Sequence, residues 1–498
     1  MRKAIPPIVG CGLIITALAV AFMLAIQHTG NMLIYTLDDA YIHMAIARNV
    51  ATNGTYGINP GDFQSVSSSP LWILLLAGTE LLFGAYDILP LIIATVFACA
   101  SVFMADIILR HYRASFMQRL IACSIFALLI PLAPLVSTGM EHTTHIFFLL
   151  VSVYGLVRWH ESPSTSWLAI ASIAISCAAL TRFETLFIAV PIVVVFIQRR
   201  SYTVAAVLTM ACCLPLIIFA AYSYANGAAL LPNSLLLKGN FPSGGTMKEV
   251  SRALGMKAIV ALRHHPHMLF IVLALIADVW YQRRNKGTWN AAGLCLISAV
   301  LFHMQYARTG WFNRYEGYLI AISICYFGVR ICTSTITWKI WLLPAACFCI
   351  LIYRSAVAHS KIDIASRNIY EQQVTMARFV REKLPPGAVI AVNDIGAVSY
   401  FGDGHIVDLE GLGDVHTALA RRNRTLTTSM IDSILVANNV HALMVYDSWF
   451  IDPALPSRLI RIGSMTISNN VVCGGSEVTI YAPPSTAASV RSAFESFR

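Results

Sequence analysis

Apolar residues run along this chain in long blocks broken by short polar groups. A bilayer-spanning helix needs about 20 such residues, and the pattern predicts one from the N-terminus to about Ile26. Ten more are predicted at about 87–109, 118–136, 143–158, 166–181, 184–198, 203–225, 267–282, 289–307, 316–331 and 338–354. Leu71–Phe83 is also apolar but too short to cross comfortably, and reads as a helix lying along or dipping into the outer leaflet. Met1-Arg2-Lys3 ahead of the first block sets its N-terminus in the cytoplasm. A cleaved signal peptide is the rival reading. The block is long for a signal core and no A-x-A site follows, so an uncleaved anchor is preferred.

Composition agrees. The chain of 498 residues is 57% hydrophobic and 12% charged, with mean hydropathy +0.67. Soluble domains carry about 25% charged residues, so a wholly soluble enzyme and a disordered chain are both excluded. The net charge of +10 does not gather into a patch, and nucleic acid is not implied. Of 12 cysteines, all but Cys473 lie within apolar blocks, with no CxxC metal pattern.

The charges report sides. With Leu71–Phe83 not crossing, Arg110, Arg113, Arg119, Arg158, Arg199, Arg200, Arg283, Arg284, Lys286, Arg330 and Lys339 all face the cytoplasm, as the positive-inside rule requires. Counting that segment as a span would turn every later group outward. The outside then receives loops at about 28–86 and 226–266, three short loops and everything after Arg354. Nine acidic residues fall toward that side: Asp38, Asp39, Asp62, Glu80, Asp87, Glu141, Glu184, Glu249 and Glu316. Only Asp106, Glu161 and Asp278 fall toward the other. Acidic residues have little say in orientation, so a reaction site on the outer face is one cause to consider.

The chain divides at about residue 354. Residues 355–498 hold 12 basic and 13 acidic residues, so the positive surplus belongs to the membrane part. An amphipathic helix is expected from Asp363 to Lys383, stopped by Pro385-Pro386-Gly387. Short apolar runs at Ala388–Val392, His405–Leu409, Ala442–Tyr446 and Glu477–Tyr481 alternate with helix-like stretches such as Ser429–Asn438. This predicts a small extracytoplasmic α/β domain.

Candidate chemistry sits in the outer loops. Asp38 and Asp39 adjoin just outside the first helix. Such a pair can act as a general base or hold a divalent cation, and mutual repulsion pushes one pKa up. The structural alternative is a capping box formed by Thr36 and Asp39. Asn59-Pro60-Gly61-Asp62 reads as a tight turn, and Ser69-Pro70 as a helix cap with proline at the first position. Arg182, Lys238, Arg308 and Arg314 are cations placed against the positive-inside bias. A lipid phosphate is their natural partner, since arginine binds phosphate as a fork. Pairing with Glu141, Glu184 and Glu316 is the bland alternative.

These residues also carry a family likeness. Asp38-Asp39-Ala40-Tyr41-Ile42, Asn59-Pro60-Gly61-Asp62, Ser68-Ser69-Pro70-Leu71-Trp72, Gly139-Met140-Glu141, Thr181-Arg182-Phe183-Glu184, Pro232-Asn233-Ser234 with Lys238, and Arg314-Tyr315-Glu316 together resemble the GT-C membrane glycosyltransferases. The likeness is nearest to the branch of the mycobacterial terminal arabinofuranosyltransferase. Asn393-Asp394-Ile395-Gly396-Ala397 and Asp408-Leu409-Glu410-Gly411-Leu412 extend it into the tail. Asp62, Phe183 and Ser234 depart from the usual Glu, Pro and Thr, conservatively in role.

The resemblance implies an α-helical polytopic fold with about 11 membrane helices over 1–354, the long first loop (28–86) carrying Asp38-Asp39, and a soluble α/β domain over 355–498. It implies a bacterial plasma-membrane enzyme. The enzyme would move a sugar, arabinofuranose being nearest, with inversion from a polyprenyl-phosphate donor to a glycan, lipid-linked or protein acceptor. Asp38 is then the expected base, with Asp39 its partner or a metal ligand, although the sequence does not separate the two. Arg182, Lys238, Arg314 and Arg308 are expected on the donor phosphate. Tyr41, His43, Glu141, His142, Glu184, Asn233 and Glu316 are expected to orient substrate. No cofactor is implied beyond an optional divalent cation.

Two rivals come from other classes. A secondary transporter would show inverted repeats and polar groups near the bilayer midplane. Here polar residues collect at one set of helix ends and no repeat is visible. A non-catalytic accessory protein of the same fold is opposed only by the intact Asp38-Asp39 pair.

Overall fold

A computed structural model describes residues 4–239, 247–333 and 342–498. Arg2, Lys3 and Lys339, expected on the cytoplasmic side, lie outside the described residues. A helix begins wherever a polar or proline-led group meets an apolar block: α1 (Ile5–His28), α2 (Asp39–Asn53), α3 (Pro70–Phe83), α4 (Leu89–His111), α5 (Phe116–Leu129), α6 (Leu132–Ser137), α7 (His142–Glu161), α8 (Thr165–Thr181), α9 (Thr185–Gln198) and α10 (Tyr202–Ala225). Next come α11 (Asn233–Lys238), α12 (Met247–His264), α13 (Pro266–Lys286), α14 (Ala291–Tyr306), α15 (Gly317–Thr333) and α16 (Leu342–Ser360).

The chain is a multi-pass membrane protein, mostly helical at 68%, with a small C-terminal sheet. A helix lies over each expected span. Among the described residues four helices, α1, α4, α10 and α16, are long and apolar enough to cross alone, or five if α12 and α13, bent by 110° at Pro266, form one span. The count of about eleven helices therefore exceeds the number that meet the length of a span.

Two expected elements differ. The stretch 118–136 is two helices, because Pro131 lacks the N–H needed to continue α5 and disfavours helical backbone at Ile130. The second long loop contains helix α12, whose turns run up to Pro266. The short segment is α3, fourteen residues and about 21 Å long, led by Pro70 after Ser69 as expected. Ser69 occupies the cap position without a side-chain cap bond.

Charges at several helix ends are staples. Asp106 is buried against Arg119 at 2.7 Å and against Arg110. Asp278 is held by Arg330 at 2.8 Å, and Glu161 by His111 at 2.8 Å. Asp106, Asp278 and Glu161 thus each pair with a basic side chain.

After α16 comes α17 (Ile362–Asn368), a π-helical turn (Ile369–Val374) and α18 (Thr375–Lys383), stopped at Pro385-Pro386. Then follow β1 (Val389–Val392), α19 (Gly396–Phe401), β2 (His405–Asp408), α20 (Val415–Arg422), α21 (Thr428–Ala437), β3 (Ala442–Val445), β4 (Ile460–Thr466), β5 (Glu477–Ala482) and α22 (Ala487–Phe497). The sheet order is β2-β1-β3-β5-β4, parallel over β2, β1 and β3 and antiparallel beyond. The expected strands correspond to β1, β2, β3 and β5. Strand β4 escapes the sequence pattern because, as an edge strand with largely exposed residues, it carries no apolar run.

The first loop and the tail dock on each other. The Asn59 amide exchanges two hydrogen bonds of 2.9 Å with the Ile406 backbone, as a neighbouring strand would. The turn that presents it closes through Asp62 N–H to Asn59 C=O, with Gly61 at positive φ. Arg48 donates to the Tyr400 and Ser399 carbonyls, and Tyr400 donates to Asp87. The two long outer elements therefore share one face of the helical bundle, opposite the ends carrying Arg110 and Arg119.

Candidate active site

Asp38 and Asp39 open α2 and part immediately, because neighbours at a helix start point about 100° apart. Asp38 turns to the tail. Its carboxylate accepts the Gly396 N–H at 2.6 Å and the Ala397 N–H at 2.7 Å. Gly396 has to be glycine, since a Cβ there would lie 2.1 Å from the Asp38 carbonyl oxygen. Asp38 also shares a hydrogen bond with Asp394. Burial pushes the Asp38 carboxyl up, and the two N–H groups and Asp394 offset only part of it. Asp394 is raised well above the usual range by burial and by Asp38's charge. Burial and the neighbouring charge thus favour a proton shared between the two carboxyls. Tyr446 and Gln373, the latter from the π-helical turn, close the cluster at 3.3 and 3.1 Å from Asp394.

Asp39 turns to the cations. Its Oδ2 lies 2.5 Å from Arg314, and its Oδ1 lies 3.5 Å from Lys238. Burial alone would raise its pKa, but Lys238 and Arg314 outweigh it and hold the carboxyl far below the usual range. Repulsion between the two aspartates, expected to lift one pKa, is the smallest of the causes acting on Asp38. Nor does a capping box form: Thr36 pairs with Ser137.

Two cavities share Asp39, Lys238, Arg308, Arg314 and Tyr315 in their walls. The smaller, about 240 Å³, is also lined by His43, Glu141, Arg182 and Glu184 and by the apolar Phe183, Leu186, Phe187, Leu231 and Tyr306. The larger, about 1010 Å³, is walled on one side by Asp38, Asn393, Asp394, Glu410 and Trp449. All four expected cations line the smaller cavity. Arg182 is nonetheless neutralised by Glu141 at 2.6 Å and by Glu184, while Arg308 is exposed with no salt bridge among the described residues.

The smaller cavity is rich in buried polar atoms without hydrogen-bond partners: His43 Nδ1, Glu141 Oε2, Arg182 Nε, Ser234 Oγ and Arg314 Nε. Such atoms cost about 1–3 kcal/mol each when unmet. Five such atoms belong to residues lining this one cavity, which makes it the candidate binding surface.

The other expected orienting residues sit elsewhere. Tyr41 is a packing residue, its hydroxyl accepting the Tyr35 N–H among Tyr400 and Phe401. Asn233 ties α11 to the Leu412 carbonyl. His142 lies behind Glu141. Glu316 is buried against Arg354 at 2.7 Å and the Gly310 N–H. Asp394, Asn393, Arg354, Trp449 and Tyr446 were not singled out as site residues. Asn393 and Asp394 stand in a motif that carried the family likeness, and that was the available signal.

The donor sets do not favour a bound metal. Asp38 and Asp39 face different partners, backbone N–H groups and cations respectively, and do not converge on a divalent ion. His265, His267 and Glu316 offer ligand atoms within 4.8 Å of one another. The Arg354 guanidinium already occupies Glu316, which fits an ion pair rather than a cation site.

The overall fold is similar to that of solved structures. Two solved structures carry this: ArnT from Cupriavidus metallidurans bound to undecaprenyl phosphate (TM-score 0.54, 11% identity, 95% of this chain and 98% of that one) and the same protein in the apo state (TM-score 0.51, 12% identity, 97% and 98%). The arabinofuranosyltransferase AftD from Mycobacteria aligns at a TM-score of 0.46 and 12% identity, over 94% of this chain and 41% of that one, and nothing about the branch rests on it. Residues 367–481 match a family described as a domain of unknown function, DUF8728. No curated protein matches the sequence.

Proposed function

We propose that the protein transfers a sugar from a polyprenyl-phosphate donor to an acceptor hydroxyl on the outer face of the membrane. The observation that supports this most is Asp39, held by Arg314 and Lys238 on the wall shared by two cavities, one largely apolar and one carrying more polar groups. A lipid phosphate entering the smaller cavity meets the same two cations. It competes with Asp39 for them, and the carboxylate regains basicity as it loses its counter-ions. Asp39 then takes the acceptor proton while Arg314 and Lys238 stabilise the leaving phosphate. Asp38 acts through position, fixing α2 to the tail.

An outward orientation, eleven crossings, domains at 1–354 and 355–498 and a furanose pentose as the sugar belong to the same reading. The undecaprenyl phosphate seen in ArnT supports a polyprenyl-phosphate partner. The test is reconstitution with radiolabelled polyprenyl-phosphate pentoses and hexoses, each with a hydroxyl acceptor. Transfer from one donor that Arg314→Gln abolishes is expected, and failure with every donor ends the proposal. A reporter fused after Arg354 is expected to be active only outside the cytoplasm.

A further inference from the structure

The larger cavity holds features that donor chemistry does not use. Trp449 stands on its wall, on a short 3-10 turn (Asp447–Trp449) after β3, with 37% of its surface exposed. Its indole does not float. It packs at 5.5 Å from the Tyr446 ring, and Gly474 leaves room for both, since a Cβ there would lie 2.7 Å from each ring. Tyr446 is in turn hydrogen-bonded to Gln372 and Gln373.

Beside it, Asn393 is 97% buried. Its Oδ1 accepts the Tyr446 N–H and its Nδ2 has no partner, in a residue that lines the cavity. Glu410 adds an acceptor and Trp311 a second exposed indole, from the loop before α15. A rigid exposed indole next to an unmet amide donor and a carboxylate matches a ring with one apolar C–H face and hydroxyls at its edge. Trp joins an apolar face to specific geometry, and a few placed polar groups fix orientation. The volume is at the upper end of the roughly 300–1,000 Å³ of small-molecule sites, which suits the end of an oligosaccharide better than one sugar. An acyl chain would leave the Asn393 amide unmet and set the Glu410 carboxylate, paired at 3.3 Å with Arg421, against hydrocarbon.

We infer that this cavity is the acceptor site, that the acceptor is a carbohydrate, and that Trp449 of the tail is the platform on which its terminal ring stacks beside Asp39. This rests on the transferase reading and names its second substrate. The tail then serves recognition, and the Asp38–Gly396 contact sets the distance between platform and base.

The test uses the full chain in detergent and a panel of neutral pentofuranose and hexopyranose tetrasaccharides. Binding is read by saturation-transfer NMR and indole fluorescence. At least one member is expected to bind. Trp449→Ala is expected to weaken it about tenfold and Trp449→Phe much less, in line with an aromatic contact of about 0.5–1.5 kcal/mol. Gly474→Ala displaces the indole without deleting it and is expected to weaken binding too. With transfer active, Trp449→Ala raises the acceptor KM rather than the donor KM. No binding by any member, or equal binding by Trp449→Ala, overturns the inference. Saccharide binding lost in Trp449→Ala without any transfer by the wild type keeps the site and sinks the transferase reading. Transfer with an unchanged acceptor KM in Trp449→Ala does the reverse.

Discussion

Asp39→Asn separates two roles that a static ion pair merges. In the free protein, Asp39 neutralises Arg314 at 2.5 Å and Lys238 at 3.5 Å. A unit charge pair at about 4 Å is worth about 4 kcal/mol at an effective dielectric of 20. The side chains of Lys238 and Asp39 are 31% and 21% exposed, so solvent screening reduces this, and about 1–2 kcal/mol is a reasonable remainder. An incoming phosphate has to overcome that remainder. Removing the Asp39 charge is therefore expected to tighten donor phosphate binding about tenfold, since about 1.4 kcal/mol is a factor of ten. Transfer, by contrast, is expected to fall about 10²–10⁴-fold through loss of general-base catalysis. Isothermal titration with a short polyprenyl phosphate reads the first, and radiolabelled transfer reads the second. Asp38→Asn serves as the contrast: it leaves Arg314 and Lys238 paired and should not tighten binding. An Asp39→Asn protein that binds phosphate more weakly, or that keeps its transfer rate, would falsify the competition mechanism.

Three further outcomes follow from the same contacts. Asp394 holds its proton when folded, whereas the unfolded chain loses it near pH 4; the stability it contributes is full below that value and declines as pH rises toward the raised folded value, by up to about 1.4 kcal/mol per unit. Asp394→Asn should flatten that decline in a Tm-versus-pH series, and an unchanged slope would refute the shared proton. Gly396→Ala places a methyl 2.1 Å from the Asp38 carbonyl. Overpacking of this kind costs about 1–3 kcal/mol or more, so earlier proteolysis around residues 393–397 is expected. Glu316→Gln leaves Arg354 buried and unpaired, at a cost of about 3–5 kcal/mol. Adding Arg354→Met should recover much of the lost Tm, and a double variant no better than the single would reject the pair as the cause.

Periodicity and charge are local, and what they encode was legible along the chain. The apolar blocks predicted the positions of α1, α4 and α7 to α10. The Pro385-Pro386 stop predicted the end of α18, and four short apolar runs predicted β1, β2, β3 and β5. The likeness of the outer-loop motifs to GT-C enzymes agrees with the fold shared with ArnT. The grouping of Asp39 with Lys238 and Arg314 was suggested only as a class, acids and cations on one side. Residues 39, 238 and 314 meet because α2, α11 and the loop before α15 end at one point, and nothing in the spacing along the chain records that meeting.

The pair Asp38-Asp39 shows the division most clearly. The sequence determined that two carboxylates begin a helix outside the first membrane segment. It could not divide their roles, because adjacent residues have the same local surroundings until the rest of the chain arrives. Tertiary structure gives each a different set of neighbours: backbone N–H groups and Asp394 for Asp38, two cations for Asp39. Charge environment is set by what packs within a few ångströms, and here those partners come from hundreds of residues away.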